Sequence, residues 1–326
     1  MSDVDNLVGM EEPLKREAWN WVLRMTSGHA TRADMAALER WCAQSPLHAR
    51  AFTRASGRWN AFGPAIESVL REEGGMPSSP VTRPARRLGR RAFLGGALAA
   101  SAAGAAVMIA RPPLDLWPSI SEFAADYRTA TGEQRHIMLA GSVSVEMNTR
   151  TSLNILSASH GDRIELITGE AAVTAGSQSI EVMAANGRAL AQNAQFNIRY
   201  DGPTVCVTCL GGVVLVEQQG RSVSVQQKQQ VSYTGHSLGQ TMPIDPMTVT
   251  GWRKGDLFFQ NEPLAQVIEE VNRYRSGKII LMNGELGQRR FTARFRLDRL
   301  DVVVTQLQAT FGARVTSLPG GVVLVS

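Results

Sequence analysis

Cysteine is scarce in this chain, three residues in 326, too few for a disulfide-built scaffold. Cys206 and Cys209 have the spacing of a redox or metal pair. They lie, however, in Thr204-Val-Cys-Val-Thr-Cys-Leu-Gly211, which reads as a strand. Positions i and i+3 of a strand face opposite ways and stand roughly 10 Å apart, beyond the ~7 Å Cα separation that a disulfide tolerates. Histidine is nearly as rare. His29, His48, His136, His160 and His236 are scattered, with no HExxH and no i, i+4 pair to hold a metal. Phosphate loops are missing too, since Gly211-Gly212 is followed by neither GxxxxGK[ST] nor a strand–GxGxxG–helix context. These absences argue against an enzyme and against a bound cofactor or metal.

Two further absences are local. From Arg83 to Arg91 there is no acid, while five arginines (Arg83, Arg86, Arg87, Arg90, Arg91) crowd the stretch. The net charge of +5 therefore reflects a cluster, not a nucleic-acid footprint spread over the molecule. From Ala92 to Ala110 there is no charge at all. As a helix this Ala- and Gly-rich run spans about 28 Å, close to the ~30 Å hydrocarbon core. One transmembrane helix is expected over 92–110, with a buried helix of a globular domain as the competing reading. The arginines on its N-terminal side place the N-terminus in the cytoplasm. Arg90-Arg91-Ala92-Phe93-Leu94 has the form of a twin-arginine export signal, carried by Arg90, Arg91, Phe93 and Leu94. About ninety residues precede it, so the signal is expected to remain as an anchor, although Ala103 and Ala105 offer small residues for a peptidase.

Apolar residues make up 44% of the chain, enough for cores in two or three domains. Before the charge-free run the period is helical. Leu14, Ala18, Trp21, Val22 and Met25 recur at helix spacing. Thr31 and Asp34 form a capping-box start for Met35, Leu38, Trp41 and Cys42. Ser45-Pro46 opens a third helix with Ala51, Phe52, Ala55 and Trp59. Gly74 to Pro84 reads as a linker. After the run the period shortens. Ile164–Ile167, Gln195–Tyr200, Val205–Leu210, Val213–Val216 and Val223–Val225 read as strands, with turns at Asn186-Gly187 and Asp201-Gly202. The last seventy or so residues predict a two-layer β-α-β-β-α-β-β unit. Its first helix carries Leu264, Val267, Ile268 and Val271, and its second Leu300, Val303, Val304 and Leu307.

Particular segments carry a family resemblance. They are Glu17-Ala-Trp-Asn-Trp-Val-Leu-Arg24 and Trp41 through Ser45-Pro-Leu-His-Ala-Arg-Ala-Phe52. They continue with Tyr127-Arg-Thr-Ala-Thr-Gly-Glu-Gln134, Val145-Glu-Met-Asn-Thr149 and Phe196-Asn-Ile-Arg199. Gly251-Trp-Arg-Lys-Gly255 and Pro263-Leu-Ala-Gln-Val-Ile-Glu-Glu-Val-Asn-Arg-Tyr274 complete the set. In this order the chain resembles the FecR-like transmembrane sigma-factor regulators over nearly its whole length. The resemblance implies a multidomain protein. A small all-α cytoplasmic sigma-binding domain (1–75) is followed by a linker with the twin-arginine motif (76–91) and the transmembrane helix (92–110). An all-β FecR-like periplasmic domain (122–240) comes next. Last is a C-terminal α+β module (257–326) similar to the short N-terminal domain of secretins and TonB-dependent receptors.

The implied protein sits in the bacterial inner membrane with one pass, N-terminus cytoplasmic and C-terminus periplasmic. Its implied partners are an extracytoplasmic-function sigma factor and the signalling domain of a TonB-dependent outer-membrane receptor for iron–siderophores. It would act as anti-sigma factor, sigma activator or both. Some family members cleave themselves between Gly and Thr by an N-to-O acyl shift, which needs a hydroxyl after the scissile bond. Asn193-Ala194 stands there in this chain, so no such cleavage is expected. Ala140-Gly141-Ser142 replaces the usual Asp-Gly-Ser, and Gly211-Gly212 the usual Glu-Gly.

Trp21, Trp41, Phe52 and Trp59 are the material either of a sigma-binding surface or of the core that a domain of about sixty residues needs. With the core reading, Arg24, Arg50 and Arg54 become the sigma-binding candidates. The same arginines in a DNA-binding helix-turn-helix would require a recognition helix rich in Arg, Asn and Gln, which the sequence lacks, so no direct nucleic-acid binding is expected. The C-terminal module is expected to have an edge strand, which either accepts a partner strand or is capped by the neighbouring β domain. The alternative to a regulator is a twin-arginine-exported scaffold or enzyme without sigma binding.

Overall fold

The computed structural model describes residues 3–26, 30–56, 122, 124–139, 143–158, 161–318 and 321–326. The chain divides into two compact units, Met1–Ile120 and Ser121–Ser326.

The first unit is helical. Helix α1 runs Asp3–Thr26 and α2 Arg32–Ala43, and α3 covers residues 46–56. The start of α2 is a complete capping box. Thr31 Oγ1 accepts from the Asp34 amide at 3.2 Å, and the Asp34 carboxylate accepts from the Thr31 amide at 2.9 Å, so two of the orphan donors of the helix end are satisfied. Pro46 opens α3, and the Ser45 hydroxyl meets His48 Nδ1 at 2.8 Å. Ala18, Val22, Met25, Leu38, Trp41 and Phe52 form the core. Trp41 turns its indole N–H to Glu17 at 2.8 Å and packs edge-on against His48. Two of the large aromatics are thus core residues, Phe52 at 0% and Trp41 at 8% exposed, while Trp21 is half-buried. Trp59 lies outside the described residues.

The expectation of a transmembrane helix is corrected here. Among the described residues no helix is long and apolar enough to cross a membrane. Helix α1 has the length, 24 residues, but its sequence carries acids and bases throughout, from Asp3 to Arg24. Residues 92–110, on which the expectation fell, and the linker from Gly74 to Pro84 lie outside the described residues.

The second unit begins with strands. In chain order they are β1 (Tyr127–Arg128), β2 (Arg135–Met138), β3 (Ser144–Met147), β4 (Ser152–Ala158) and β5 (Gly161–Ala175). Then come β6 (Ile180–Ala184), β7 (Gly187–Ala191), β8 (Ala194–Asp201) and β9 (Thr204–Gly211). β10 (Val213–Gln218), β11 (Arg221–Gln226), β12 (Gln229–Thr234) and β13 (Met242–Pro243) complete a curled 13-stranded sheet. Its main path is β11-β10-β7-β6-β5-β8-β9-β12-β13.

The long strand β5 belongs to both halves of this sheet. Its first part pairs with β4 and, in parallel, with β6; its last part pairs with β3 and β8. The bend falls at Gly169, at φ +97°, where a Cβ would lie 2.5 Å from Thr151 Cα; only glycine fits there. Inside the curl, Ile164, Leu166, Val173, Val182, Phe196, Ile198, Val207 and Val231 form one core. The turn before β7 takes its positive φ at Ala185, +50°, beside the expected Asn186-Gly187 pair. The Asp201-Gly202 turn uses Gly202 at +81°.

The C-terminal module follows a short helix α4 (Pro246–Thr250) and a 3-10 turn (Gly251–Lys254). Its elements are β14 (Asp256–Pro263), α5 (Leu264–Arg273), β15 (Ile279–Leu281), α6 (Gly284–Gln288) and β16 (Arg290–Arg296). α7 (Val302–Phe311), β17 (Val315–Leu318) and β18 (Val322–Val325) close it. β14 and β16 form an antiparallel pair, and β15-β18-β17 a second sheet with β15 parallel to β18. The apolar stripes of α5 and α7 fill the module's core with Phe259, Phe291 and Phe295. Ala172 of β5 joins that core from the outer face of the sheet. Helix α6, absent from the sequence reading, is capped by Asn283, whose side chain accepts from the Glu285 and Leu286 amides.

Candidate functional site

Two groups of polar side chains stand out, one in each unit. In the helical unit, Arg24 near the end of α1 reaches Asp34 in the first turn of α2, with Nε–Oδ1 at 2.7 Å. The Thr31 hydrogen bonds, and then Arg24, hold the Asp34 carboxyl below the usual carboxylate range against its burial. Arg24 therefore fastens the α1–α2 corner. Arg50 and Arg54 lie a turn apart on α3, half-buried and exposed respectively. Positions 47, 50 and 54 share a helix face, and Leu47 on that face is 43% exposed. Arg90, Arg91, Phe93 and Leu94 lie outside the described residues.

The second group fills the junction between the curled sheet and the C-terminal module, and Glu170 is its hub. Glu170 follows the Gly169 bend and is 3% exposed. Its Oε1 accepts from Asn197 Nδ2 at 2.9 Å. Its Oε2 accepts from Asn148 Nδ2 at 2.8 Å and from Arg273 Nη1 at 2.9 Å. Arg273, the last residue of α5, also meets Glu270 one turn back at 2.8 Å and Asp201 at 3.1 Å. Arg199 closes the ring on Glu270 at 2.7 Å and Asp201 at 2.8 Å.

Neutral groups extend it. Asn148 donates to the Tyr274 hydroxyl at 2.6 Å, and the Thr149 hydroxyl donates to the Arg273 carbonyl at 3.1 Å. Farther out, Gln134 Nε2 donates to the Trp252 carbonyl at 2.9 Å, and Arg253 pairs with Glu146.

Burial opposes the charges on Glu270, Asp201, Arg273 and Arg199, and the opposite charges win. For Glu270 and Asp201, burial works to raise the carboxyl, but Arg273 and Arg199 hold both below the usual range. For Arg273, burial works to lower the guanidinium, and Glu270, Glu170 and Asp201 more than reverse it. Burial pushes the Tyr274 hydroxyl up, so it stays neutral. The ring joins carboxylates to guanidinium groups and amides and brings no nucleophile against a base. Its chemistry is that of a clamp. Parting the two layers would leave buried charge unpaired.

The segments singled out in the sequence converge on this clamp. Gln134, Asn148 with Thr149, Asn197 with Arg199, Trp252 with Arg253, and Glu270 through Tyr274 each come from a different one. Glu170 was not singled out, and Asp201 was read only as part of a turn. The signal for the junction lay in the polar residues Asn148 and Asn197 within strand patterns and in Arg273-Tyr274 ending an apolar helix stripe.

Cys206 and Cys209 are unpaired. Cys206 Sγ faces the Ser232 hydroxyl at 3.2 Å, while burial raises the Cys209 thiol. Asn193 sits at φ +47° and Ala194, 3% exposed, opens β8 with a methyl group where an acyl shift needs a hydroxyl. Among the described residues no group of three or more His, Cys, Asp or Glu is placed to hold a metal.

Comparison with known proteins bears on both units. No curated protein matches the chain. Two crystal structures, each described as a candidate anti-sigma factor from Parabacteroides distasonis ATCC 8503, share its fold. The first is 19% identical, covers 61% of this chain and 97% of its own, and has a TM-score of 0.54. The second is 18% identical, covers 61% and 96%, and has a TM-score of 0.52. Three family models match. A domain of unknown function, DUF4880, matches residues 16–57, the helical unit. The FecR protein model matches residues 125–215, the curled sheet, and the FecR C-terminal model matches residues 256–324, the module behind the clamp. These matches take in more than half of the chain and the charged ring around Glu170, though not Trp252 and Arg253, and the protein belongs to the FecR family.

Proposed function

We propose that this FecR-type signalling regulator holds an extracytoplasmic-function sigma factor on its helical unit and receives its signal through its C-terminal module. The observation that carries the reading is the stripe of Leu47, Arg50 and Arg54 on α3. It combines an exposed leucine with two guanidinium groups, while the aromatics are used in the core. An apolar anchor ringed by arginines is a common composition for a protein-binding centre. The partner it suits carries an apolar pocket and acidic residues. Arg24 supports the surface by holding α1 to α2.

On the other side, the signalling domain of a TonB-dependent outer-membrane receptor, one serving iron–siderophore uptake, is the proposed input. The proposed route is the clamp, whose ion pairs tie the module to the sheet, so that an event at the module would be felt by the sheet. Arg90, Arg91, Phe93 and Leu94 are proposed as the export signal that sends the β-rich unit to the periplasm and leaves the helical unit in the cytoplasm.

The test is affinity capture of sigma factors by the tagged full chain from the native bacterium. The wild-type chain is expected to retain one extracytoplasmic-function sigma factor. Arg50→Glu with Arg54→Glu is expected to lose it with unchanged far-ultraviolet circular dichroism. A well-folded chain that retains no sigma factor would overturn the reading. For export, replacing Arg90 and Arg91 by lysine is expected to keep the β-rich unit out of the periplasmic fraction.

A further inference from the structure

The edge of the C-terminal module carries a second surface, and it is strongly basic. Among the described residues β16 pairs with β14 on one side only, in a sheet of two strands. Its alternation is strict. Phe291 and Phe295 point into the module's core, while Arg290, Thr292, Arg294 and Arg296 are exposed on the opposite face. Residues 289–299 hold five arginines (Arg289, Arg290, Arg294, Arg296, Arg299) against one acid, Asp298. Arg294 is paired with Asp256 of β14 and Arg296 with Asp298. Arg290 donates to the Asn261 carbonyl and Arg289 stands over the Phe311 ring. Two of the three arginines on the strand's exposed face are thus ion-paired, and the excess of positive charge comes from Arg290 on that face and from Arg289 and Arg299, exposed at its two ends.

We propose that the free edge of β16 takes an extended acidic segment of a partner protein as an added strand. The unpaired backbone of an edge strand supplies hydrogen bonds and register. Alternate side chains of the added strand, about 7 Å apart, fall beside Arg290, Thr292, Arg294 and Arg296. Acids at those positions form opposite-charge cross-strand pairs, and bases are repelled. The same rule disfavours a second copy of this chain, since β16 laid against β16 sets arginines beside arginines. Charge on an edge strand protects it against indiscriminate pairing; here it also selects the sign of the partner. The inference extends the signalling reading by giving the partner of the C-terminal module its chemistry.

The experiment uses the full chain and a fluorescein-labelled peptide of about ten residues, the length of a long strand, alternating Glu and Val. Fluorescence anisotropy is expected to show binding of this peptide and none of its Lys–Val counterpart. N-methylation at alternate residues blocks one edge of the peptide; one of the two methylated registers is expected to lose binding while the other keeps it. Arg290→Glu with Arg296→Glu is expected to weaken binding by about tenfold or more, with circular dichroism unchanged. Failure of the Glu–Val peptide to bind would overturn the proposal. So would equal binding of both methylated registers, which marks a merely electrostatic contact, or equal arginine-dependent capture of phosphatidylglycerol vesicles, which marks an anionic lipid surface. Sigma-factor capture plays no part in these readouts, so failure here leaves the assignment of Arg50 and Arg54 standing.

Discussion

Arg273 and Glu170 are 103 residues apart in sequence and 2.9 Å apart in space. The contact joins the last residue of α5 to the outer face of β5, and both side chains are buried. Removing the guanidinium strands Glu170 without its cation in a site that water hardly reaches. Arg273→Met is therefore expected to destabilise the junction by about 3–5 kcal/mol. Hydrogen exchange of amides in α5 and β8 would report it. Adding Glu170→Gln removes the stranded charge and is expected to restore part of the loss. Equal exchange in wild type and Arg273→Met would show that the clamp does not hold the layers together.

Acid is expected to open the same junction. Glu270 and Asp201 are held below the usual carboxylate range in the folded protein. Their contribution is fully present above the pKa of the unfolded chain, about 4. It fades as pH falls through the lower folded values, because the unfolded state then binds more protons. Protection of the junction amides is expected to be flat above about pH 5 and to fall below about pH 4. In Arg273→Met that acid dependence is expected to shrink.

Periodicity made parts of this protein legible before its structure. Leu264, Val267, Ile268 and Val271 announced a helix face, and all four are buried in α5. Thr31 and Asp34 announced a cap, and the reciprocal bonds are there. The pleat of β9 correctly kept Cys206 and Cys209 apart. The clamp was not legible, because long-range pairing leaves no local period. Glu170 looks like any acid on a strand, and Asp201 like any acid in a turn, until Gly169 bends β5 and α5 is laid against it. Helix α6 is too short, five residues, to show a repeat. The transmembrane expectation rested on a charge-free run, the arginines before it and the family resemblance, and among the described residues no helix is long and apolar enough to cross a membrane.

The Gly169 bend makes its own prediction. Gly169→Ala places a methyl group against the Thr151 backbone and in a positive-φ conformation that alanine resists. Neither obstacle is the flexible end of a side chain. The substitution is expected to cost about 1–3 kcal/mol from backbone conformation alone, with the clash adding to it. A lowered unfolding midpoint of the β-rich unit would show this, while the helical unit's signal stays unchanged.

In the helical unit the cap and the ion pair are expected to separate by size. Thr31→Ala removes the acceptor for the Asp34 amide and is expected to cost about 1 kcal/mol. Arg24→Gln removes an ion pair whose arginine side chain is 63% exposed, and screening by water keeps the expected loss under about 1 kcal/mol. Thermal melts followed by circular dichroism at a helix wavelength would rank the two. A larger loss for Arg24→Gln would mean that the α1–α2 corner depends on the pair more than on the cap.

The three thiols are expected to react at different rates. Burial pushes Cys42 up to about 11 and raises Cys209 as well, so little thiolate forms at either near pH 8. Both sulfurs are also shielded from reagent. Cys206 is only half-buried on the outer face of β9. Iodoacetamide is therefore expected to label Cys206 first, and denaturation to release Cys42 and Cys209, as read by peptide mass spectrometry. Labelling of Cys209 as fast as Cys206 would show that the β9–β12 pairing opens in solution. A tryptic fragment in which Cys206 and Cys209 are oxidised together would contradict the strand altogether, because the pleat turns their side chains to opposite faces.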